Sequence, residues 1–152
     1  MFEMIRSIRT DLGRGRAEAW AAVPADYPAF ADHFPGAPVL PGSFLIELAA
    51  QVAGPLSEET VGARFGLERW AMLGMICDAK FLRHTPLPAE LIITARVRSA
   101  EPSKVVVQVA AHSNEQEVMR SELWMIMLEA TPEWAEAIAA RRERVARWKG
   151  AA

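Results

Sequence analysis

A histidine and a glutamate, fourteen residues apart, are the pair in this chain best suited to acid–base chemistry. His33 lies in a segment rich in proline and glycine, and Glu47 lies in the apolar run that follows. A neutral imidazole accepts a proton near pH 7, whereas a carboxyl group in apolar surroundings stays protonated more readily and can donate its proton. Together the two residue types indicate proton abstraction and proton donation on one substrate.

A structural role for each residue is the alternative interpretation. Burying a carboxylate without a partner is costly, so Glu47 could instead cap a neighbouring backbone group or pair with an arginine in the core. His33 taken alone would be a loop histidine that hydrogen-bonds to the backbone. Finding both in one segment is more specific to chemistry than either residue alone.

The segment HFPGAPVLPG, which begins at His33, predicts a stiff loop. Its three prolines fix their own φ and push the residues before them toward extended conformations. Gly36 and Gly42 permit backbone conformations that other residues avoid. We expect this loop to hold His33 in one place at low entropic cost.

The run from Ser43 to Leu56 is almost wholly apolar, which predicts a helix packed on most sides. Its polar exceptions before Gly54 are Ser43, Glu47 and Gln51, which are spaced four apart and therefore share one face. Gly54-Pro55 should stop or kink this helix, and 56–65 should form a shorter one closed by Gly66.

The rest of the chain predicts an α+β fold with six strands and a final helix. The strand-like segments are Met4–Arg9, Ala17–Val23, Trp70–Phe81, Leu91–Ala100, Lys104–His112 and Glu117–Glu129. The first two are separated by the turn Gly13-Arg14-Gly15, which predicts a hairpin. Leu123–Leu128 is apolar on both faces, which predicts a central strand covered on both sides. The final helix, Thr131–Lys149, carries an apolar stripe that predicts packing on the sheet or on a partner subunit, with a membrane surface as the alternative.

Composition excludes some classes of function. The 152 residues suit one domain, and 17 basic against 19 acidic residues give a net charge of −2, which does not favour nucleic acid as a partner. The single cysteine, Cys77, excludes an internal disulfide and fits a reducing compartment. We expect neither a signal peptide nor a membrane span, which makes the cytoplasm the expected location.

The motif H-F-P-G-x-P-V-x-P-G, followed by x4-E-x3-Q, resembles the (3R)-hydroxyacyl-acyl-carrier-protein dehydratases of the FabZ/FabA type. A second block, Ala79–Arg83 followed by Pro86-Leu87-Pro88, is similar to a later signature of that family. The similarity runs from about Ile5 to Ala130.

The resemblance implies a hot-dog fold, in which a curved antiparallel sheet wraps a central helix. It implies a dehydratase-like domain over residues 1–130. Residues 131–152 depart from the family pattern, and we expect them to form a helical extension packed on the same domain. Family members work as dimers or trimers of dimers, with the histidine and the acid of each site on different subunits. They act on acyl carrier protein and use neither a metal nor an organic cofactor.

Residue by residue, the resemblance makes His33 the catalytic base and Glu47 the catalytic acid. Gly42 takes the position whose backbone N–H faces the thioester carbonyl. Gln51, Ser43 and Phe34 support the site. Some members have a strained peptide bond beside the histidine, which would here join His33 to Phe34.

The predicted reaction is the dehydration of (3R)-3-hydroxyacyl thioesters in fatty-acid or polyketide-like biosynthesis. One base, one acid and one N–H donor at a helix start suffice for it. Hot-dog thioesterases, which also carry a helix carboxylate, are an alternative, although hydrolysis would not need the motif around His33. A non-catalytic acyl-binding subunit is the third possibility, disfavoured because both acid–base residues are present.

Overall fold

Six antiparallel strands form one sheet in the computed structural model, which describes residues 3–152. They lie in the order β1-β2-β4-β5-β6-β3, with the bounds β1 Ile5–Asp11, β2 Arg16–Val23, β3 Arg69–Phe81, β4 Ala89–Glu101, β5 Lys104–Ser113 and β6 Gln116–Glu129. Two helices, α1 (Gly42–Phe65) and α2 (Ala135–Gly150), complete the fold, with 3-10 turns at Pro28–Phe30 and Pro132–Trp134. The predicted α+β class is confirmed, and all six predicted strands are present.

The first two strands form the predicted hairpin. Buried and exposed residues alternate along β2, because successive side chains of a strand point to opposite faces. The turn between the strands ends at Gly15, whose φ of 62° lies in the left-handed region that glycine adopts without strain. The Gly15 N–H donates to the Leu12 carbonyl, and the Arg14 N–H donates to the Asp11 carboxylate.

Helix α1 packs on the inner face of the sheet and forms the centre of the core. Its contacts reach every strand, and side chains such as Leu48, Val52 and Leu56 are fully buried. The expectation of a stop at Gly54-Pro55 and a separate helix over 56–65 is wrong, because α1 runs unbroken through Pro55. The expected closure at Gly66 is confirmed, since Gly66 adopts a left-handed conformation. A proline inside a helix costs about 3 kcal/mol, and burial of the flanking turns offsets this cost.

Strand β6 is an interior strand, paired with β5 on one side and β3 on the other. Its inward residues are buried, but Trp124, Ile126 and Leu128 on the other face are only half-buried. The prediction that this strand is covered on both sides is therefore wrong for the single chain. The cause is that α1 covers only the inner face.

Helix α2 packs on the fold as an added element, and it buries Ile138 and Trp148. Its contacts are mainly with β1. Trp134, at the preceding turn, stays half-exposed and lies against Trp70, with ring centroids 5.3 Å apart. No helix within residues 3–152 is long and apolar enough to cross a membrane.

Four ion pairs join α2 to the rest of the protein. They are Arg141–Glu58, Arg142–Glu68, Arg147–Glu3 and Lys149–Glu59. The Glu58 side chain is the most enclosed of these acids, at 18% exposure, and it also accepts a hydrogen bond from the Ala71 N–H at 2.8 Å. Burial raises the pKa of Glu58, while the charge of Arg141 acts in the opposite direction.

Candidate active site

The loop between β2 and α1 fixes the backbone of His33 through local hydrogen bonds. The His33 N–H donates to the Phe30 carbonyl at 3.0 Å, and the His33 carbonyl accepts from the Val39 N–H at 2.7 Å. Phe34 and Ala37 exchange two backbone hydrogen bonds, closing a tight turn in which Gly36 has a φ of 76°. The predicted stiff loop thus has its cause in backbone pairing as well as in proline content.

Phe34 lies directly beside the histidine. The peptide bond between His33 and Phe34 is cis, and their rings stack with centroids 4.8 Å apart and planes 17° from parallel. The Phe34 side chain is 59% exposed in the single chain. The histidine ring is therefore flanked on one side by an aromatic face that is itself open.

The two motif blocks found in the sequence meet in space. The Leu40 N–H donates to the Thr85 carbonyl at 2.8 Å, and the Leu87 N–H donates to the Pro38 carbonyl at 3.0 Å. These bonds tie the His33 loop to the connection between β3 and β4. The segment that contains the second block therefore helps to hold the loop that carries the histidine.

The start of α1 presents free backbone donors. Pro41 is the N-cap and supplies no side-chain acceptor. Within residues 3–152 the N–H groups of Gly42 and Ser43 donate to no acceptor, and the Ser43 side chain is exposed. Free N–H groups and the positive end of the helix dipole favour an oxygen that carries partial negative charge.

Gly42 is also the point of closest packing at this end of the helix. A Cβ placed on Gly42 would lie 2.8 Å from the Phe81 ring. Phe81 belongs to the second motif block, but its contact with Gly42 is not predicted by the sequence. The signal that could have found it is that both residues belong to motifs of the same family.

Glu47 projects from the polar stripe of α1 and is exposed in the single chain. The expectation that this carboxylate is buried is therefore wrong for the single chain, because the polar stripe faces away from the protein's own sheet. Gln51, one turn later, donates from Nε2 to the Glu47 carboxylate at 2.9 Å. The other end of the Gln51 amide, Oε1, is buried without a partner among the described residues.

The structure brings some of the predicted site residues together and leaves others apart. Glu47 bonds to Gln51, and His33 stacks on Phe34. No hydrogen bond or ion pair within residues 3–152 joins His33 to Glu47. Over the same residues no group of three or more potential metal-ligating side chains is close enough to hold an ion.

Beside this region lies an edge strand with an exposed apolar surface. Strand β3 ends the sheet, so no strand among the described residues is hydrogen-bonded to its outer edge. Large apolar side chains on and just beyond β3 are 41–52% exposed, namely Met72, Met75, Ile76, Phe81 and Leu82. An apolar patch along an open edge marks a surface that another chain can cover.

Comparison with known proteins places this arrangement in a family. A family model described as a FabA-like domain matches residues 1–122. The chain belongs to the FabA-like family. The resemblance of the two motif blocks is thereby confirmed, and the match ends within β6, so α2 lies outside it.

Curated relatives of this FabA-like chain match it over part of their length. The 3-hydroxyacyl acyl-carrier-protein dehydratase FabZ of Anaeromyxobacter sp. (strain Fw109-5) is 38% identical over 69 residues, covering 45% of this chain and 44% of the relative. The enzyme of the same name from Paracidovorax citrulli (strain AAC00-1) is 34% identical over 88 residues, covering 57% and 60%. The chain thus spans about half the length of these relatives.

Solved structures share the fold of this FabA-like chain at lower identity. The protein smu.793 from Streptococcus mutans UA159, bound to acetyl CoA, has a TM-score of 0.61 at 20% identity and covers 84% of this chain and 90% of its own. Thioesterase HI1161 from Haemophilus influenzae has a TM-score of 0.58 at 18% identity, covering 80% and 78%. At this level of identity the similarities show the fold alone, and they confirm the predicted hot-dog fold.

Proposed function

We propose that this protein dehydrates (3R)-3-hydroxyacyl thioesters to trans-2-enoyl thioesters, with His33 as base and Glu47 as acid. The observation that carries the proposal is the position of His33, held by backbone hydrogen bonds in the loop that leads directly into the free N–H groups at the start of α1. Base and oxyanion donor thus belong to one continuous segment, and Glu47 lies about one helical turn further along α1.

The chemistry needs two proton transfers. His33 takes a proton from C2, and the electron pair left there delocalises onto the thioester oxygen, where the N–H groups near Gly42 stabilise the charge. As the charge returns to form the C2–C3 double bond, Glu47 gives its proton to the departing C3 hydroxyl, which leaves as water. The histidine gains one proton and the glutamate loses one, so a later exchange with solvent restores both.

A second copy of the chain would supply what the single chain lacks. Pairing along the open edge of β3 would cover its exposed apolar side chains. The second copy would also cover the face of α1 that carries Glu47. Burial favours the neutral form of a carboxyl group, so Glu47 would be more readily protonated in the dimer. We propose a homodimer in which His33 of one subunit works with the acid of the other.

The proposed substrate carrier is inferred from the names of the relatives. Their names specify 3-hydroxyacyl groups on acyl carrier protein, and we propose the same carrier here. Hydrolysis of an acyl thioester is the competing function on this fold, but the thioesterase likeness is at 18% identity and carries no argument about chemistry.

Mass spectrometry of a 3-hydroxyacyl acyl carrier protein tests the proposal. We expect wild-type protein to remove one water from the acyl group and His33→Ala to leave it intact. His112→Ala, which changes a histidine on the outer face of β5, is the matched control and should behave as wild type. Release of free acid would assign the protein to the thioesterases, and equal dehydration by His33→Ala would refute the role of the histidine.

A further inference from the structure

The outer face of the sheet, opposite α1, carries a row of polar side chains that crosses all six strands. The strand register places its members side by side, in the order Asp11, Arg16, Arg96, Gln108, Glu122 and Cys77. Residues directly opposite each other on paired strands project to the same face. This row lines a concavity of about 1080 Å³.

Two adjacent members of the row are arginines. Arg16 on β2 and Arg96 on β4 lie directly opposite each other, and both are exposed. Like charges in this position are destabilising unless something neutralises them. Within residues 3–152 neither guanidinium has a carboxylate within 4.0 Å, and the one hydrogen bond of the pair runs from Arg96 to Gln108 Oε1 at 3.1 Å.

The acids that line the concavity do not neutralise this pair. Asp11 pairs with Arg14 at 3.7 Å, Glu122 with Arg98 at 3.1 Å and Glu117 with Arg120 at 3.8 Å. Glu18 lies two residues along β2 and is not within ion-pair distance of any arginine among the described residues. Asp78, the remaining acid of the lining, pairs with Lys80 at 3.4 Å. Each paired carboxylate thus already has its own cation, and among the described residues neither Arg16 nor Arg96 forms an ion pair.

Further hydrogen-bond donors lie close to the pair. Because Gln108 accepts from Arg96 through Oε1, its amide NH₂ remains available as a donor. Arg14, Arg16, Arg96 and Val97 line a smaller concavity of about 440 Å³ at the β1–β2 turn. The Arg64 guanidinium lies beside the same turn, 4.0 Å from the place a Cβ would take on Gly15.

We propose that Arg16 and Arg96, with the amide of Gln108, bind a phosphate-type oxyanion. Two planar guanidinium groups can each hold two oxygens of a phosphate, and a doubly charged ligand relieves the repulsion between them. The ligand is either free phosphate or the phosphate of a larger metabolite. This site is separate from the proposed active site, because β2 begins at Arg16 and ends where the His33 loop starts, roughly 20 Å further along the strand.

Titration calorimetry at constant ionic strength tests the site with inorganic phosphate, pyrophosphate and adenosine monophosphate. We expect saturable binding of at least one of the three, and a loss of about tenfold or more in affinity for the double variant R16Q/R96Q. The matched control is Arg6→Gln, which removes one exposed arginine from β1 outside the concavity and should change affinity less than about twofold. Preference for the nucleotide identifies a larger metabolite as the source, and preference for the inorganic ions identifies free phosphate.

Three results would overturn the proposal. They are the absence of saturable binding to wild type, unchanged affinity in R16Q/R96Q, and equal weakening in Arg6→Gln, which would indicate general charge screening. Thermal unfolding without ligand supplies an independent readout. Because the substitutions remove a like-charge contact, the double variant should unfold at the same temperature as wild type or higher, and added phosphate should raise the unfolding temperature of wild type alone.

Discussion

Replacing Arg141 by methionine should destabilise the protein through the carboxylate that it leaves behind. Arg141 lies on α2, outside the part of the chain that matches the family, and its guanidinium contacts both Glu58 and the Ala71 carbonyl. Methionine keeps much of the apolar length of the side chain but removes the charge and the donors. Glu58 would then keep its hydrogen bond from the Ala71 N–H but lose its cation.

The expected loss follows from how enclosed the pair is. Removing one partner of a fully buried ion pair costs about 3–5 kcal/mol. The Glu58 and Arg141 side chains are 18% and 31% exposed, so solvent screens part of this interaction. We therefore expect a loss of about 2–3 kcal/mol in the free energy of unfolding, or a fall of roughly 4–12 °C in Tm for a chain of this size.

The stability loss caused by Arg141→Met should depend on pH in a definite direction. Burial raises the pKa of Glu58 above its ordinary value of 4.5 in the folded protein, and removal of Arg141 takes away an opposing influence. Below pH 4.5 the carboxyl group of Glu58 is protonated in both the folded and the unfolded states. The missing cation should therefore cost the variant little stability there. Between pH 4.5 and the raised pKa of the wild-type folded state, both proteins lose stability alike as the unfolded chain ionises. Above that pKa wild type loses no more, but the variant, whose pKa is raised further, continues to lose stability, so the difference should grow there.

Urea unfolding of the variants at pH 7 and at acidic pH measures these effects. Arg142→Met is the matched control, because its ion pair with Glu68 is largely exposed and should contribute less than about 1 kcal/mol. The double variant E58Q/R141M removes the stranded charge and should regain most of the stability. If Arg141→Met costs no more than Arg142→Met, or if the double variant regains nothing, the buried pair does not hold α2 in place.

Three further predictions concern the proposed active site. Glu47→Gln keeps the helix and its shape but removes the acid, so turnover should fall by about 10²–10⁴-fold with folding intact, as measured by dehydration rate and circular dichroism. Mixing inactive His33→Ala and Glu47→Gln chains should restore about one quarter of wild-type turnover, since half of randomly formed dimers carry one intact site; no recovery despite proven subunit exchange would place the site within one chain. Gly42→Ala should lower turnover roughly 10- to 100-fold, because its Cβ meets the Phe81 ring at 2.8 Å. Gly62→Ala should leave turnover unchanged, because its Cβ would lie 3.9 Å from the Leu67 carbonyl oxygen, and the reasoning fails if the two variants behave alike.

Local sequence patterns predicted most of the elements correctly. The alternation of apolar and polar residues located all six strands, and the glycine turn predicted the hairpin that joins β1 to β2. Proline spacing predicted a stiff loop at His33. These features depend on neighbours within a few residues, which is why the sequence alone reveals them.

Pro55 and Glu47 show where local rules were insufficient. Local propensity predicts a break at Pro55, but burial of the flanking residues against the sheet keeps α1 continuous. An apolar run predicts a buried Glu47, but the sheet covers only one side of the helix, so this stripe faces outward. In both cases contacts with residues far along the chain decide the outcome.

Sequence alone was enough to predict the family, most of the elements and a candidate acid–base pair, because motifs and periodicity are properties of adjacent residues. The folded structure was needed to show that the two motif blocks touch, that β3 is left as an open edge, and that Arg16 faces Arg96. Each of these depends on the order and register of strands that are distant in the chain. No local pattern encodes that order, since it follows from how the whole sheet closes around α1.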